Sequence, residues 1–280
     1  MSLRAGCGLA LVLIGAALDA ASALELEGPI TQGGLIVGRA EPGARVALDG
    51  RAIRVAPDGR FLIGFGRDHS PRAGLTVTAP DGRVTRRTLA IAQRRYDIQR
   101  IEGLPPKLVT PDAETLKRIE DDRAQIRAVR SIETPEFLFG LGFAWPAAGP
   151  ISGVFGSQRI LNGEPRAPHL GLDIAAPEGA MVRAAAPGRV ALAHEDMVLT
   201  GKTLLLDHGH GLTTSYIHLS EILVRAGESV AQGAPIGRVG KTGRTTGAHL
   251  HWGVNLFDVA LDPALLVSGP AEAAQAETKR

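Results

Sequence analysis

Turn signals crowd the first third of this chain, and they constrain its fold more than any other feature. Pro42-Gly43, Asp49-Gly50, Asp58-Gly59 and Asp81-Gly82 recur at short intervals. Between and beside them lie brief apolar runs, Leu35–Val37, Val46–Leu48, Phe61–Ile63 and Leu75–Val77. Apolar runs this short, bounded by Asp-Gly and Pro-Gly, are strands joined by tight turns and leave little room for long helices. The 35 glycines and 18 prolines among 280 residues extend that argument along the chain. The rhythm predicts a mainly β protein that opens with a β-sandwich-like N-terminal domain over 24–95.

Residues 96–140 break the rhythm. Gly103-Leu104-Pro105-Pro106 reads as a turn or linker. Thr110 is placed to cap a helix with Pro111 at its first position and Asp112 and Glu114 in its first turn, where the helix dipole favours acids. Leu116, Ile119, Ile126 and Val129 then fall on one helical face. The pattern fits either a connecting helix packed on a neighbour or a lid over a groove, because amphipathicity says only that one face is buried. From 141 to 267 the chain is glycine-rich and strand-like again. Val182–Ala185, Arg189–Ala193, Thr203–Asp207, Thr213–Ile217 and Leu250–Val254 are the strand candidates. Residues 268–280 lack apolar periodicity and read as a disordered tail.

Residues 1–23 read as a signal peptide. Arg4 precedes an apolar stretch over Cys7–Leu18, and Ala21-Ser22-Ala23 offers small residues for cleavage. That stretch is shorter than the ~20 residues a membrane span needs, so export without lasting membrane insertion is expected. Cys7 is the only cysteine. The mature chain would therefore carry no thiol and no disulfide, which excludes thiol catalysis and cysteine-ligated zinc. A net charge of +2, with no basic stripe interleaved with aromatics, gives no footprint for nucleic acid.

Seven of the eight histidines fall after residue 168. His249-Leu250-His251 on a strand would point both rings one way, with Cα atoms roughly 6.6 Å apart. His169 and Asp173 are a ligand-type pair four residues apart; a straight strand would separate them by roughly 13 Å, so the segment must bend, and Gly171 is where bending is cheapest. His218 is flanked by apolar residues and reads equally as a buried structural histidine. Taken together, two histidines and an acid suit a three-ligand zinc site with an open position, and two further histidines suit proton transfer near neutral pH. His208 and His210 flank Gly209 in a hairpin turn, where turn or groove-edge roles compete with further metal ligation. His69 and His194 read as loop residues. Asn162, Glu164 and Arg166 form either a groove wall or a solvated loop.

Four segments together carry a resemblance: Pro168-His169-Leu170-Gly171-Leu172-Asp173-Ile174, Leu206–Leu212, Tyr216-Ile217-His218-Leu219-Ser220, and Ile236–His251. In order and spacing the chain resembles the lysostaphin-type zinc metalloendopeptidases, which cut peptidoglycan cross-links, over about residues 145–263. The resemblance implies an antiparallel β-sheet groove domain. It implies one Zn2+ per chain held by His169, Asp173 and His251, and catalytic roles for His218 and His249. It implies peptidoglycan stem peptides as substrate, a DD-endopeptidase reaction, a periplasmic or otherwise exported location, and cell-wall or division machinery as candidate partners. Ile217, Trp252 and Gly253 depart from the commonest family pattern and are expected to alter the groove. The competing expectation is a non-catalytic wall-binding module or an activator of a cell-wall amidase, against which all five polar positions are retained. A third is a zinc-bound enzyme covered by its own N-terminal region.

Overall fold

A computed structural model describes residues 24–101, 112–140, 142–161, 163–269 and 271. Residues 1–23, read above as a signal peptide and holding Cys7, lie outside the described residues, as do the expected cap Thr110-Pro111, Asn162 and the tail from 272.

The turn-rich first third folds as expected from its spacing. Its strands are β1 (Glu25–Glu27), β2 (Leu35–Arg39), β3 (Arg45–Leu48), β4 (Arg51–Ile53), β5 (Arg60–Gly64), β6 (Arg72–Thr78) and β7 (Val84–Ala90). They form a sheet of order β1-β2-β5 and a second of order β4-β3-β6-β7. In β6, Ala73, Leu75 and Val77 are buried while the residues between them face outward, the alternation of a half-buried strand. Those residues meet Ile36, Phe61 and Ile63 of the first sheet in one shared core. At the edge, β7 carries exposed Thr85, Arg86, Arg87 and Thr88, and charge there discourages edge-to-edge pairing.

The segment read as a linker contributes a further strand, β8 (Ile98–Ile101). The helix, α1 (Ala113–Arg130), starts later than the sequence suggested: Asp112 is its N-cap, accepting from the Thr115 backbone N–H at 2.7 Å. A carboxylate cap satisfies an orphan donor and meets the positive end of the dipole at once. Ile119 and Val129 are buried, whereas Leu116 is 48% exposed, so the apolar face is narrower than the spacing implied.

The remaining strands are β9 (Ile151–Gly153), β10 (Gln158–Leu161), β11 (Glu164–Pro165), β12 (Leu172–Ile174), β13 (Met181–Arg183), β14 (Gly188–Met197), β15 (Gly201–Asp207), β16 (Leu212–Ile222), β17 (Ser229–Val230), β18 (Pro235–Val239), β19 (Leu250–Leu256) and β20 (Val259–Leu261). Most join one antiparallel sheet whose main path runs β17-β14-β15-β16-β19-β12-β9. Beside it, β10 and β11 pair with each other and β8 adds to β10 in parallel. Glu164 and Arg166 therefore belong to a small hairpin rather than a free loop. His194 likewise lies on β14, opposite Thr203, and not in a loop.

The central strands β15 and β16 are buried on both faces. One face packs into the main core with Trp252, Val254 and Leu250. Across the other runs α1, tied to the sheet by Asp122, which accepts from the Val198 N–H at 2.8 Å. The N-terminal sandwich docks through Leu35 and Leu62, which join that same main core, and through an Arg94–Asp262 ion pair at 2.7 Å. Phe137, Phe139 and Phe143, after the helix, also pack into it. Among the described residues no helix is long and apolar enough to cross a membrane.

Candidate metal centre

Two adjacent strands and one bent loop build the site. Asp173 on β12 and His251 on β19 are directly opposed in the antiparallel register, which brings their side chains to one face. Alternation along β19 sends Leu250 and Trp252 into the core, both fully buried. His249 and His251 consequently share the opposite face. His169 lies in the loop before β12, where its backbone N–H donates to the Ser157 carbonyl and its carbonyl accepts from Gly156. The chain turns between His169 and Asp173, and the two side chains meet at 3.0 Å.

Gly171 does not provide that bend through a left-handed backbone, since it is absent from the positive-φ glycines among the described residues. It provides room. A Cβ there would lie 2.5 Å from His251 Nε2 and 2.8 Å from the Trp252 carbonyl. Gly153 does the same on the other side, because a Cβ would collide with the Asp173 carboxylate. Both glycines let backbone approach a crowded cluster, and neither carries a side chain that sequence reasoning could single out for this role.

Three donor atoms converge. His169 Nε2 lies 2.9 Å from His251 Nδ1 and 3.0 Å from Asp173 Oδ1, and His251 Nδ1 lies 2.8 Å from Asp173 Oδ1. A tetrahedral zinc with bonds of 2.0–2.1 Å needs ligand atoms about 3.3 Å apart. The trio thus needs an expansion of only a few tenths of an ångström to take the ion. Its chemistry also fits, with two imidazoles and one carboxylate. His169 Nδ1–H donates to the Val154 carbonyl at 3.0 Å, which sets the tautomer that presents Nε2 inward, the outer-shell support ligating histidines require.

The other two histidines flank the trio. His249 Nε2 is 3.7 Å from Asp173 Oδ1, and its Nδ1–H donates to the Gly247 carbonyl at 2.9 Å. His218 Nδ1–H donates to the Thr242 carbonyl at 2.8 Å. The His218 ring centroid is 4.9 Å from that of His249 and 6.4 Å from that of His251. His218 has φ +63°, a left-handed conformation costing an L-residue roughly 1–2 kcal/mol. This conformation coincides with the end of the β16–β19 pairing at Ile217–His251 and with a register shift between Leu219 and Glu221. The plain reading of His218 as a core histidine therefore fails on geometry: it is buried, yet its ring belongs to this cluster.

Burial sets the protonation states against the pull of Asp173. Burial alone would raise the Asp173 carboxyl, but bonds from His169 and His251 outweigh it and hold the group far below the usual carboxylate range. Burial lowers His251, partly opposed by its bond to Asp173. For His169 burial also works against the proton, yet Asp173 wins and raises it. Burial pushes His218 down to about 4, the Thr242 carbonyl opposing and His249 and His251 reinforcing. His218 is thus a neutral ring at physiological pH, with a lone pair on Nε2.

His208 and His210 lie outside the cluster. His208 is fully buried; its Nδ1–H donates to the Pro187 carbonyl at 2.7 Å and its Nε2 accepts from Thr214 Oγ1 at 2.8 Å. His210 has φ +54° and stacks edge-on against Phe137. His69 sits beside Phe65 in the sandwich, bonded to Ser70. Of the residues that depart from the family pattern, Ile217 lines the cavity next to His251 and Gly253 packs on Ser215 on the same face. Trp252 points into the core and does not shape the groove.

A sequence model described as peptidase family M23 matches residues 167–263, the span holding all five clustered residues. A crystal structure of a Pseudomonas aeruginosa protein assigned to peptidase M23 is 32% identical, with a TM-score of 0.66, covering 84% of this chain and 93% of that one. The chain belongs to peptidase family M23. Among curated relatives, the peptidoglycan DD-endopeptidase ShyA of Vibrio cholerae is 42% identical over 86 residues, which is 31% of this chain and 20% of ShyA. The DD-carboxypeptidase/endopeptidase Mpg of Neisseria gonorrhoeae is 36% identical over 109 residues, 39% of this chain and 25% of Mpg. The match thus spans a fifth to a quarter of these longer relatives.

Proposed function

We propose that this M23 protein is an exported zinc endopeptidase that hydrolyses peptide cross-links of peptidoglycan. The convergence of His169 Nε2, Asp173 Oδ1 and His251 Nδ1 within 3.0 Å of one another supports it most directly. In this reading those three residues hold one zinc ion, which when bound supplies Lewis-acid activation of water and of a peptide carbonyl. His218 and His249 handle the protons. Each has its Nδ1–H spent on a backbone carbonyl, so each presents Nε2 as the working atom. A neutral His218 Nε2 accepts a proton from the attacking water. The resulting imidazolium can then donate to the developing oxyanion or return the proton to the leaving amine. The name of ShyA favours the DD-endopeptidase bond, and the expected signal peptide favours a periplasmic or other wall-facing location. Cell-wall or division machinery remains the class of partner.

The test is direct. Protein lacking 1–23 should carry one zinc per chain and release peptide-linked fragments from purified sacculi, with chelation abolishing release. Zinc-loaded protein that leaves sacculi intact, together with unchanged behaviour of His249→Ala in cells, would leave only the non-catalytic binding or activating module.

A further inference from the structure

Beside the metal centre lies a cavity of about 280 Å3 between α1 and the face of β15, β16 and β19. His251 borders it, with Leu170 and Ile217 providing apolar surface. The helix wall carries three arginines, Arg123, Arg127 and Arg130. Two of them are engaged by one acid: Glu120 pairs with Arg127 at 2.6 Å and with Arg123 at 3.9 Å. Among the described residues Arg130 has no such partner. Its Nε is buried without a hydrogen bond, and no ion pair among the described residues uses it. Burial lowers it to about 10, with the charge of Asp258 opposing. The residue as a whole is half-buried, and a guanidinium partly withdrawn from water gains from a hydrogen-bonded anion beside it.

We infer that Arg130 is a specificity-determining residue that binds a free carboxylate of the peptide whose scissile bond lies at the His169–Asp173–His251 cluster. The occupant follows from charge and shape. The guanidinium is a planar fork of donors that matches a carboxylate in two parallel bonds. The cavity joins that fork to the metal centre through an apolar stretch that suits a short aliphatic side chain. Stem peptides carry free carboxylates close to their cross-links, whereas an amidated peptide of the same shape presents no negative charge. This rests on the proposed peptidase reading for the identity of the peptide, but not for the binding itself.

Full-length zinc-loaded protein is titrated with a soluble stem tetrapeptide bearing free carboxylates and with its amidated twin. Wild type is expected to bind the free peptide roughly tenfold to hundredfold tighter, the range of a charge-assisted bond in a shielded site. Arg130→Met should bind both peptides alike, at the twin's affinity, and Arg130→Lys should restore part of the preference. Arg123→Met and Arg127→Met should change the ratio by less than about threefold, as for exposed paired charges. Equal binding of the two peptides by wild type overturns the assignment, and so does a ratio unchanged in Arg130→Met. If Arg130→Met fails to fold, the wild-type ratio and the Arg130→Lys ratio decide alone. Sacculus digestion is run alongside. Carboxylate preference without digestion removes the peptidase reading and keeps the site, while digestion without preference does the reverse.

Discussion

The N-terminal sandwich and the C-terminal sheet are both antiparallel β structures, but they use their faces differently. In the sandwich, β6 buries one face and gives the other to water, while β2 and β5 lend Leu35 and Leu62 to the main core. In the C-terminal sheet β15 and β16 are covered on both sides, by the main core and by α1. A second covered face is what lets a sheet hold ionisable groups out of water. The sandwich has one histidine, His69, and it bonds to a neighbouring carbonyl. The C-terminal sheet assembles four histidines and an aspartate in a shielded groove, where their mutual electrostatics are strong. The contrast suggests that the sandwich is scaffold and the groove is chemistry.

The largest expected break in that contrast comes from Asp173→Ala. It removes the only carboxylate of the trio and should eliminate stoichiometric zinc and all measurable turnover, read by metal analysis and sacculus digestion. His218→Ala should keep zinc and lower kcat by roughly 10²–10⁴, the usual weight of a general acid–base group; loss of zinc would show that the ring supports the metal instead. Phe61→Ala, in the sandwich core, should cost about 3–5 kcal/mol in urea unfolding, with kcat per folded molecule unchanged. A changed kcat would mean that the sandwich reaches the groove.

His208 tests the buried sheet without touching the cluster. Burial holds it at about 4 in the folded protein, against an opposing bond to the Pro187 carbonyl, while the unfolded chain titrates near 6.5. The unfolded state therefore binds the proton first. The stabilisation is fully present above pH 6.5 and is lost as pH falls toward 4, about 3 kcal/mol in all. His208→Gln should flatten that part of the stability curve in denaturation at stepped pH. The smallest effect is expected at Asp112→Ala, which removes the α1 cap and should lower the urea midpoint only slightly.

Much of this was legible in the residues. Short apolar runs between Asp-Gly and Pro-Gly turns predicted the N-terminal strands, and glycine-rich apolar runs the main C-terminal ones, because strand period and turn chemistry are local. The same period showed that His249 and His251 share a face. Three features were not legible. The clearance supplied by Gly153 and Gly171 depends on what packs against them. The acceptors that orient His169, His218 and His249 are backbone carbonyls of Val154, Thr242 and Gly247, which any residue would supply. Nothing local singled out Arg130, because its unbonded Nε is a property of the folded surroundings.

By itself, then, the sequence determined where most of the long strands lie, which of their side chains share one face, and which residues have metal-binding chemistry. These follow from covalent periodicity and side-chain type. The tertiary structure alone decided that His169 folds back onto Asp173, that the left-handed turn at His218 aims its ring into the cluster, and that α1 forms a wall of the groove. Those outcomes depend on contacts between residues up to 82 positions apart, such as His169 with His251, and packing over that separation has no local signature.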